Sequence, residues 1–144
     1  MAMIVVAIGG SLLRPEVEEK HVWLDDLITI VRERVAAGDR LGLVIGGGAP
    51  AREGISLAKP LIDDDYHLDK IGIAATRLNA TIIREAFTEA SISVSGIIPT
   101  SVNEAAQLLE ERPVVVMGGT EPGHTTDAVA IRLAIAVNAS KCII

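Results

Sequence analysis

Leu41-Gly42-Leu43-Val44-Ile45-Gly46-Gly47-Gly48-Ala49-Pro50-Ala51-Arg52 is the stretch that decides the fold. An apolar run of strand length stops on three glycines, and a proline follows where the first turn of a helix tolerates it. A buried strand that turns straight into a helix is the repeating unit of a parallel sheet. Working outward, the same unit recurs on both sides. Met3 to Ile8 is an apolar run that ends at Gly9-Gly10-Ser11, and Pro113 to Met117 is one that ends at Gly118-Gly119-Thr120.

Between these runs the spacing of apolar residues is helical. Val22, Leu27, Ile30, Val31 and Val35 predict a helix over 20–37, closed by Gly38. Pro50 opens one that runs to Ala58, and Leu68, Ile71, Ala75, Leu78 and Ile82 mark a face of a long helix over 66–89. A short strand is expected over 92–98. Ser101-Val102-Asn103-Glu104 is a capping-box pattern ahead of a helix ending near Glu111. A further helix is expected over 125–139, and Lys141-Cys142-Ile143-Ile144 begins another strand. This alternation predicts an α/β fold: a three-layer αβα sandwich with a mostly parallel sheet.

Composition narrows the class. The chain has 144 residues, 49% of them hydrophobic, but Trp23, Tyr66 and Phe87 are its only aromatics. The core is therefore aliphatic, as in parallel sheets covered on both faces. A net charge of −6 argues against a nucleic-acid surface, which needs clustered Lys and Arg. A single cysteine, Cys142, excludes an internal disulfide and a cysteine-cluster metal site. No apolar run is long enough to cross a bilayer and no secretion signal is evident, so a cytoplasmic protein is expected. Glu16, Glu18, Glu19 and Lys20 read as a solvated loop leading into a helix.

In parallel sheets ligands bind at the carboxyl ends of the strands, and all three glycine turns fall on that edge. Glycine lets backbone N–H groups approach an oxyanion closely, and helix N-termini add unpaired donors and a positive dipole end. A single such turn is equally well a tight strand-to-helix connection; three on one edge point to an anion. They match neither the Walker pattern nor the dinucleotide fingerprint. Arg52, one turn into its helix, can present a fork to two phosphate oxygens, and Arg14 follows the first turn closely enough to act similarly. In Thr120-Glu121-Pro122-Gly123-His124-Thr125-Thr126-Asp127, Thr125 suits an N-cap and Asp127 a first helical turn. Capping alone leaves Thr120, His124 and Thr126 unexplained, whereas convergence of hydroxyls, imidazole and amides on a phosphate uses them all.

These turns, together with Asp69-Lys70-Ile71-Gly72-Ile73-Ala74-Ala75-Thr76-Arg77-Leu78-Asn79-Ala80, resemble the archaeal UMP kinases of the amino-acid kinase family. The glycine turns are shared across the wider family; the 69–80 segment and Gly123-His124-Thr125-Thr126-Asp127 are more particular. The resemblance implies γ-phosphoryl transfer from ATP, carried with Mg2+, to UMP, giving UDP for pyrimidine nucleotide synthesis. It implies that Gly47, Asp69 and Thr120, Glu121, Pro122, Gly123, His124, Thr125 and Thr126 bind UMP. Gly9, Gly10, Ser11, Gly48 and Arg52 would face the donor phosphates. Asp127 would organise the positive groups around the reacting phosphoryl, so Asp127 and Arg52 are the implied catalytic pair. It also implies a homohexamer, assembled through the helix near 66–89.

Bottom-up chemistry agrees with that implication, because phosphoryl transfer requires positioning and charge stabilisation more than a covalent residue. Gly72 and Thr76 share the helix face of Asp69, and a glycine inside a helix costs about 1 kcal/mol relative to alanine, which close approach of a ligand or helix would explain. Many members of the family carry Lys where this chain has Ala7, a difference shared by the archaeal UMP kinases. Family members also continue past Ile144 into residues that hold the ATP base and ribose. The expectation is thus a single acceptor-binding part over 1–144, which by itself binds UMP weakly or not at all and does not turn over. Two alternatives stay open: another small-molecule kinase of the family, acting on an acyl, carbamoyl or isoprenoid phosphate, and a non-catalytic oxyanion binder.

Overall fold

The structure, a computed structural model, describes residues 1–12 and 20–144; Arg14 and the acidic residues Glu16, Glu18 and Glu19 lie outside them. Four strands, β1 (Met3–Ile8), β2 (Arg40–Ile45), β3 (Val114–Met117) and β4 (Lys141–Ile143), form one sheet in the order β3-β2-β1-β4. Every pairing is parallel. Ile8 sits opposite Ile45, and Val44 opposite Met117. The three strands that run into glycines therefore end within one residue of each other, on one edge.

Helices α1 (Lys20–Ala36), α2 (Gly48–Ala58), α3 (Asp65–Glu89), α4 (Val102–Glu111) and α5 (Thr126–Ala136) connect them. The period-2 alternation of strands sorts the core into two layers. Ile8, Leu43, Ile45, Val114 and Val116 meet Val31 of α1 and Ala80, Ile83 and Phe87 of α3 on one face. Val5, Val44, Val115 and Met117 meet Leu108 and Leu109 of α4 and Val129 and Leu133 of α5 on the other. The expected α/β sandwich is the observed one. Gly42 in β2 brings α4 and α5 close: a Cβ there would lie 3.0 Å from Leu133 Cδ2 and 3.4 Å from Leu109 Cδ1.

Helix ends follow local chemistry. Gly38 (φ +90°) closes α1, with Gly38 N–H donating to Val35 O and Asp39 N–H to Arg34 O. The Ser101 hydroxyl accepts from Glu104 N–H at 3.1 Å, and the Glu104 carboxylate reaches back to Thr100 N–H at 2.8 Å, one residue earlier than a standard capping box. Helix α5 is shorter than the expected 125–139. Asn138 adopts φ +52°, and Asn138 and Ala139 N–H bond Ile135 O and Ala134 O, the same closure without a glycine.

Two expectations are corrected. Residues 92–98 are not a strand: only Val94 bridges to Val114. Val94 N–H turns back to Ile92 O, and Ser95 Oγ takes Ile97 N–H at 3.2 Å, so local turns displace the ladder. The expected face of α3 holds only in part: Leu68 and Ala75 are buried. Leu78 and Ile82 are 54% and 44% exposed, while Thr76, Asn79, Ala80, Ile83 and Phe87 are buried. In α1, likewise, Val22 and Ile30 face solvent and Leu24, Leu27, Ile28, Val31 and Val35 face the core.

Phe87 is fully buried, so Phe87→Ala should lower the unfolding free energy by about 3–5 kcal/mol. Leu78→Ala, on the open side of the same helix, should change it by less than about 0.5 kcal/mol. Urea denaturation of the two variants checks the assignment of faces.

Candidate functional site

The glycine turns meet as backbone against backbone. A Cβ on Gly10 would overlap Gly46 O and lie 2.7 Å from Gly48 N. One on Gly48 (φ +55°) would lie 2.7 Å from Ser11 N and closer still to the Gly10 carbonyl carbon. Only glycine permits this approach at either position. On the other side Gly118 rests on α3, where a Cβ would sit 2.8 Å from Thr76 C and 2.9 Å from Arg77 N.

Helix α3 holds the turns in place with side chains. Asn79 Nδ2 donates to Gly46 O at 2.8 Å and Gly47 O at 3.0 Å. The Thr76 hydroxyl accepts from Gly119 N–H at 2.7 Å while donating to Ile73 O at 2.6 Å. Arg77 donates to Gly119 O and Thr120 O, each at 3.2 Å. One turn past its N-terminus, Asp69 Oδ2 accepts from Gly123 N–H at 3.0 Å, where φ of +87° suits the glycine.

A cleft of about 440 Å³ opens among these elements. Gly47, Gly48, Ala51, Arg52 and Ile55 of the second turn and α2 form one wall; Asp69, Gly72, Ile73 and Thr76 of α3 form the floor. Gly119, Glu121, Pro122, Gly123, His124, Thr125 and Thr126 form the other wall. Two helices of 11 residues present their N-termini to it. Helix α2 has no side-chain cap, so its first amides are free among the described residues; α5 is capped by Thr125 Oγ1, which accepts from Ala128 N–H at 3.1 Å. Free amides and an arginine fork make one side of the cleft suited to a phosphate. Ile55 and Ile73 provide apolar surface beside it. Gly72 lines this floor, and a Cβ there would meet only Ile55 Cδ1, at an ordinary 3.5 Å. Helix packing therefore does not demand this glycine, and its missing side chain leaves the cleft floor open.

Arg52 and His124, which come from different turns of the sequence, thus line one cavity. Arg132 donates to His124 Nδ1 at 2.9 Å; a guanidinium cannot accept, so the imidazole proton lies on Nε2, 3.4 Å from Glu121 Oε1. Not every expected residue joins the cleft. Gly9, Gly10 and Ser11 sit behind the second turn rather than in its wall. Thr120 faces a neighbouring cavity of about 410 Å³ between the first turn of α4 and Arg132 of α5. Asp127 is exposed in the first turn of α5, one residue beyond the lining Thr126.

Residues absent from the expected set are Thr76 as part of the floor and as a pin, Asn79, Arg77, Arg132, Ile55 and Ile73. Extending the Asp69–Gly72–Thr76 spacing by one turn reaches Asn79, and the Gly48–Arg52 spacing by one turn reaches Ile55. Arg132 carries no comparable pattern. Among the described residues, no three His, Cys, Asp or Glu side chains gather as a metal site requires. No helix among them is long and apolar enough to cross a membrane.

The parallel α/β sandwich thus gathers glycine turns, an arginine and two helix N-termini around one cleft. The model of the amino acid kinase family matches residues 2–144, and the chain belongs to that family. It is 39% identical over 141 residues to the uridylate kinase of Methanocaldococcus jannaschii, covering 98% of this chain and 61% of that protein. It is 41% identical over 134 residues to that of Methanospirillum hungatei, covering 93% and 54%. The crystal structure of the Archaeoglobus fulgidus uridylate kinase superimposes with a TM-score of 0.80 at 40% identity, over 96% of this chain and 60% of that one. The Bacillus anthracis UMP kinase, at 22% identity and a TM-score of 0.74, shares the fold. The chain thus spans 54–61% of the length of the two relatives named.

Gly48→Ala should destabilise the chain by about 2 kcal/mol or more, because a left-handed conformation and a backbone collision combine. Gly38→Ala, also at positive φ but with nothing within 4 Å, should cost about 1 kcal/mol. Gly72→Ala should be neutral or stabilising by up to about 1 kcal/mol. Chemical denaturation of the three variants ranks them.

Proposed function

We propose that the chain is the acceptor-binding part of a UMP kinase, which transfers the γ-phosphoryl group of MgATP to UMP and yields UDP. The observation that carries this reading is the convergence of Arg52, the free α2 amides and the Thr125-Thr126 helix start on a single cleft. The relatives named above, uridylate kinases in their full lengths, support it.

In this reaction the nucleophile is an oxygen of the UMP phosphate, already ionised at neutral pH, so no general base is required. What the site supplies is alignment and compensation of charge. UMP lies across the α3 floor. Its phosphate is directed by the Gly47 amide and the 121–126 segment, and its uridine side by Asp69. The Arg52 fork and the Gly48 amide meet the transferred phosphoryl group, whose charge spreads over three equatorial oxygens in the transition state. Gly9, Gly10 and Ser11, of which the last two lie against Gly48, belong to the donor-phosphate side, and Asp127 orders the cations around the reacting group. Mg2+ enters bound to ATP, held chiefly by phosphate oxygens and water. The remaining donor contacts, to the ATP base and ribose, belong to the portion of the family that this chain does not span.

The setting proposed is pyrimidine nucleotide synthesis in the cytoplasm, and the assembly a homohexamer. Leu78 and Ile82, apolar and exposed on the outer side of α3, support a subunit contact along that helix.

A chimera tests the activity: this chain replaces the matching part of the A. fulgidus uridylate kinase. UDP should form from UMP and MgATP, with no comparable turnover of carbamoyl, acyl or isoprenyl phosphate. A folded chimera that turns over one of those acceptors and not UMP sinks the assignment. In the active chimera Arg52→Ala should lower kcat by about 100-fold or more, with Arg52→Lys intermediate. Gly72→Ala should raise the KM for UMP while leaving stability intact.

A further inference from the structure

We infer that Asn79 is a positioning residue, which aims the Gly47 and Gly48 amides at the phosphoryl chemistry; this deepens the reading above and rests on it. Asn79 is 1% exposed and takes no part in the cleft wall. Its side-chain amide carries two N–H groups, and two consecutive carbonyls, Gly46 O and Gly47 O, converge on it at 2.8 and 3.0 Å. Both peptide bonds are trans. In a planar trans peptide the N–H points opposite to the C=O. Fixing the Gly46 carbonyl therefore fixes the Gly47 N–H, and fixing the Gly47 carbonyl fixes the Gly48 N–H, each directed away from Asn79. Neither of these N–H groups has an acceptor among the described residues.

The need for such a pin follows from the glycines themselves. Close approach of Gly10 excludes a Cβ at Gly48, and Ala51 Cβ, 2.5 Å from a Cβ built on Gly47, excludes one there. Glycine at 46, 47 and 48 leaves the backbone of the turn with the widest choice of φ and ψ. The residue type that permits the fold thus leaves the donors with little else to aim them: among the described residues no backbone N–H reaches Gly46 O, and Gly47 O takes one long bond, 3.4 Å from Ala51 N. A preorganised donor pair requires an external constraint, and a buried carboxamide with exactly two donors is one.

Residual dipolar couplings of the isotopically labelled chain read the two N–H directions without any ligand. In the unaltered chain the Gly47 and Gly48 couplings should fit vectors pointing away from Asn79. In Asn79→Ala they should change or average towards zero, while amides of β1, β2 and β3 keep theirs. Asn79→Asp, the same shape with an acceptor facing two carbonyls, should disturb them at least as much. UMP and inorganic phosphate, titrated separately, should bind each variant about tenfold or more weakly than the unaltered chain. A folded Asn79→Ala chain whose two couplings are unchanged overturns the inference. If neither variant folds, the couplings of the unaltered chain decide, and vectors pointing towards Asn79 overturn it. A folded chimera that fails to turn over UMP would count against the function proposed above, and the couplings would still judge Asn79.

Discussion

Everything near the cleft depends on a polar stripe on the buried side of α3. Thr76 and Asn79 lie where a helix packed on a sheet ordinarily places Leu or Ile, and both are almost fully buried. Such groups are costly to bury unless bonded. Here each side chain bonds a glycine turn: Asn79 the second, Thr76 the third while also donating to Ile73 O of its own helix. Asp69 and Arg77 extend the same service to Gly123 and to the Gly119 and Thr120 carbonyls. One rigid helix thereby sets the relative positions of loops that come from separate parts of the chain. Below the stripe Ala80, Ile83 and Phe87 return to apolar packing and fasten the helix to the sheet.

That arrangement suits chemistry in which position matters more than reactivity. An acceptor phosphate and a donor phosphoryl group repel one another, so a site that joins them must offer directed donors in a fixed frame. Backbone amides are the most compact donors, and glycine turns are the only loops dense enough to bring several to one place. Their flexibility is offset by anchoring from behind. Arg52 reaches in from α2, and the Arg132–His124–Glu121 series braces the opposite wall.

Much of this was legible in the residues. The strand-glycine-helix units, the parallel sheet, the Ser101 cap, the Thr125 cap and the Gly38 closure are consequences of local chemistry, and the structure shows each of them. The meeting of Arg52 with His124 followed from counting strand ends on one edge. The failures were equally physical. Apolar spacing selected Leu78 and Ile82 for the core because it scores hydrophobicity, whereas the helix turns Thr76 and Asn79 inward to satisfy carbonyls that belong to other segments. The strand expected over 92–98 lost to a serine that bonds its own neighbourhood. Thr120 and Asp127 stand in the same stretch as His124, and the structure places them beside the cleft and not in its lining.

By itself the sequence determined the layers, the direction of the strands and the edge on which the glycine turns gather, because periodicity, glycine and proline act within a few residues. Tertiary structure alone decided which side of α3 is buried, which of the threonines line the cleft, and how the glycine amides are aimed. Those outcomes depend on hydrogen bonds between residues more than thirty positions apart, and no local pattern records them.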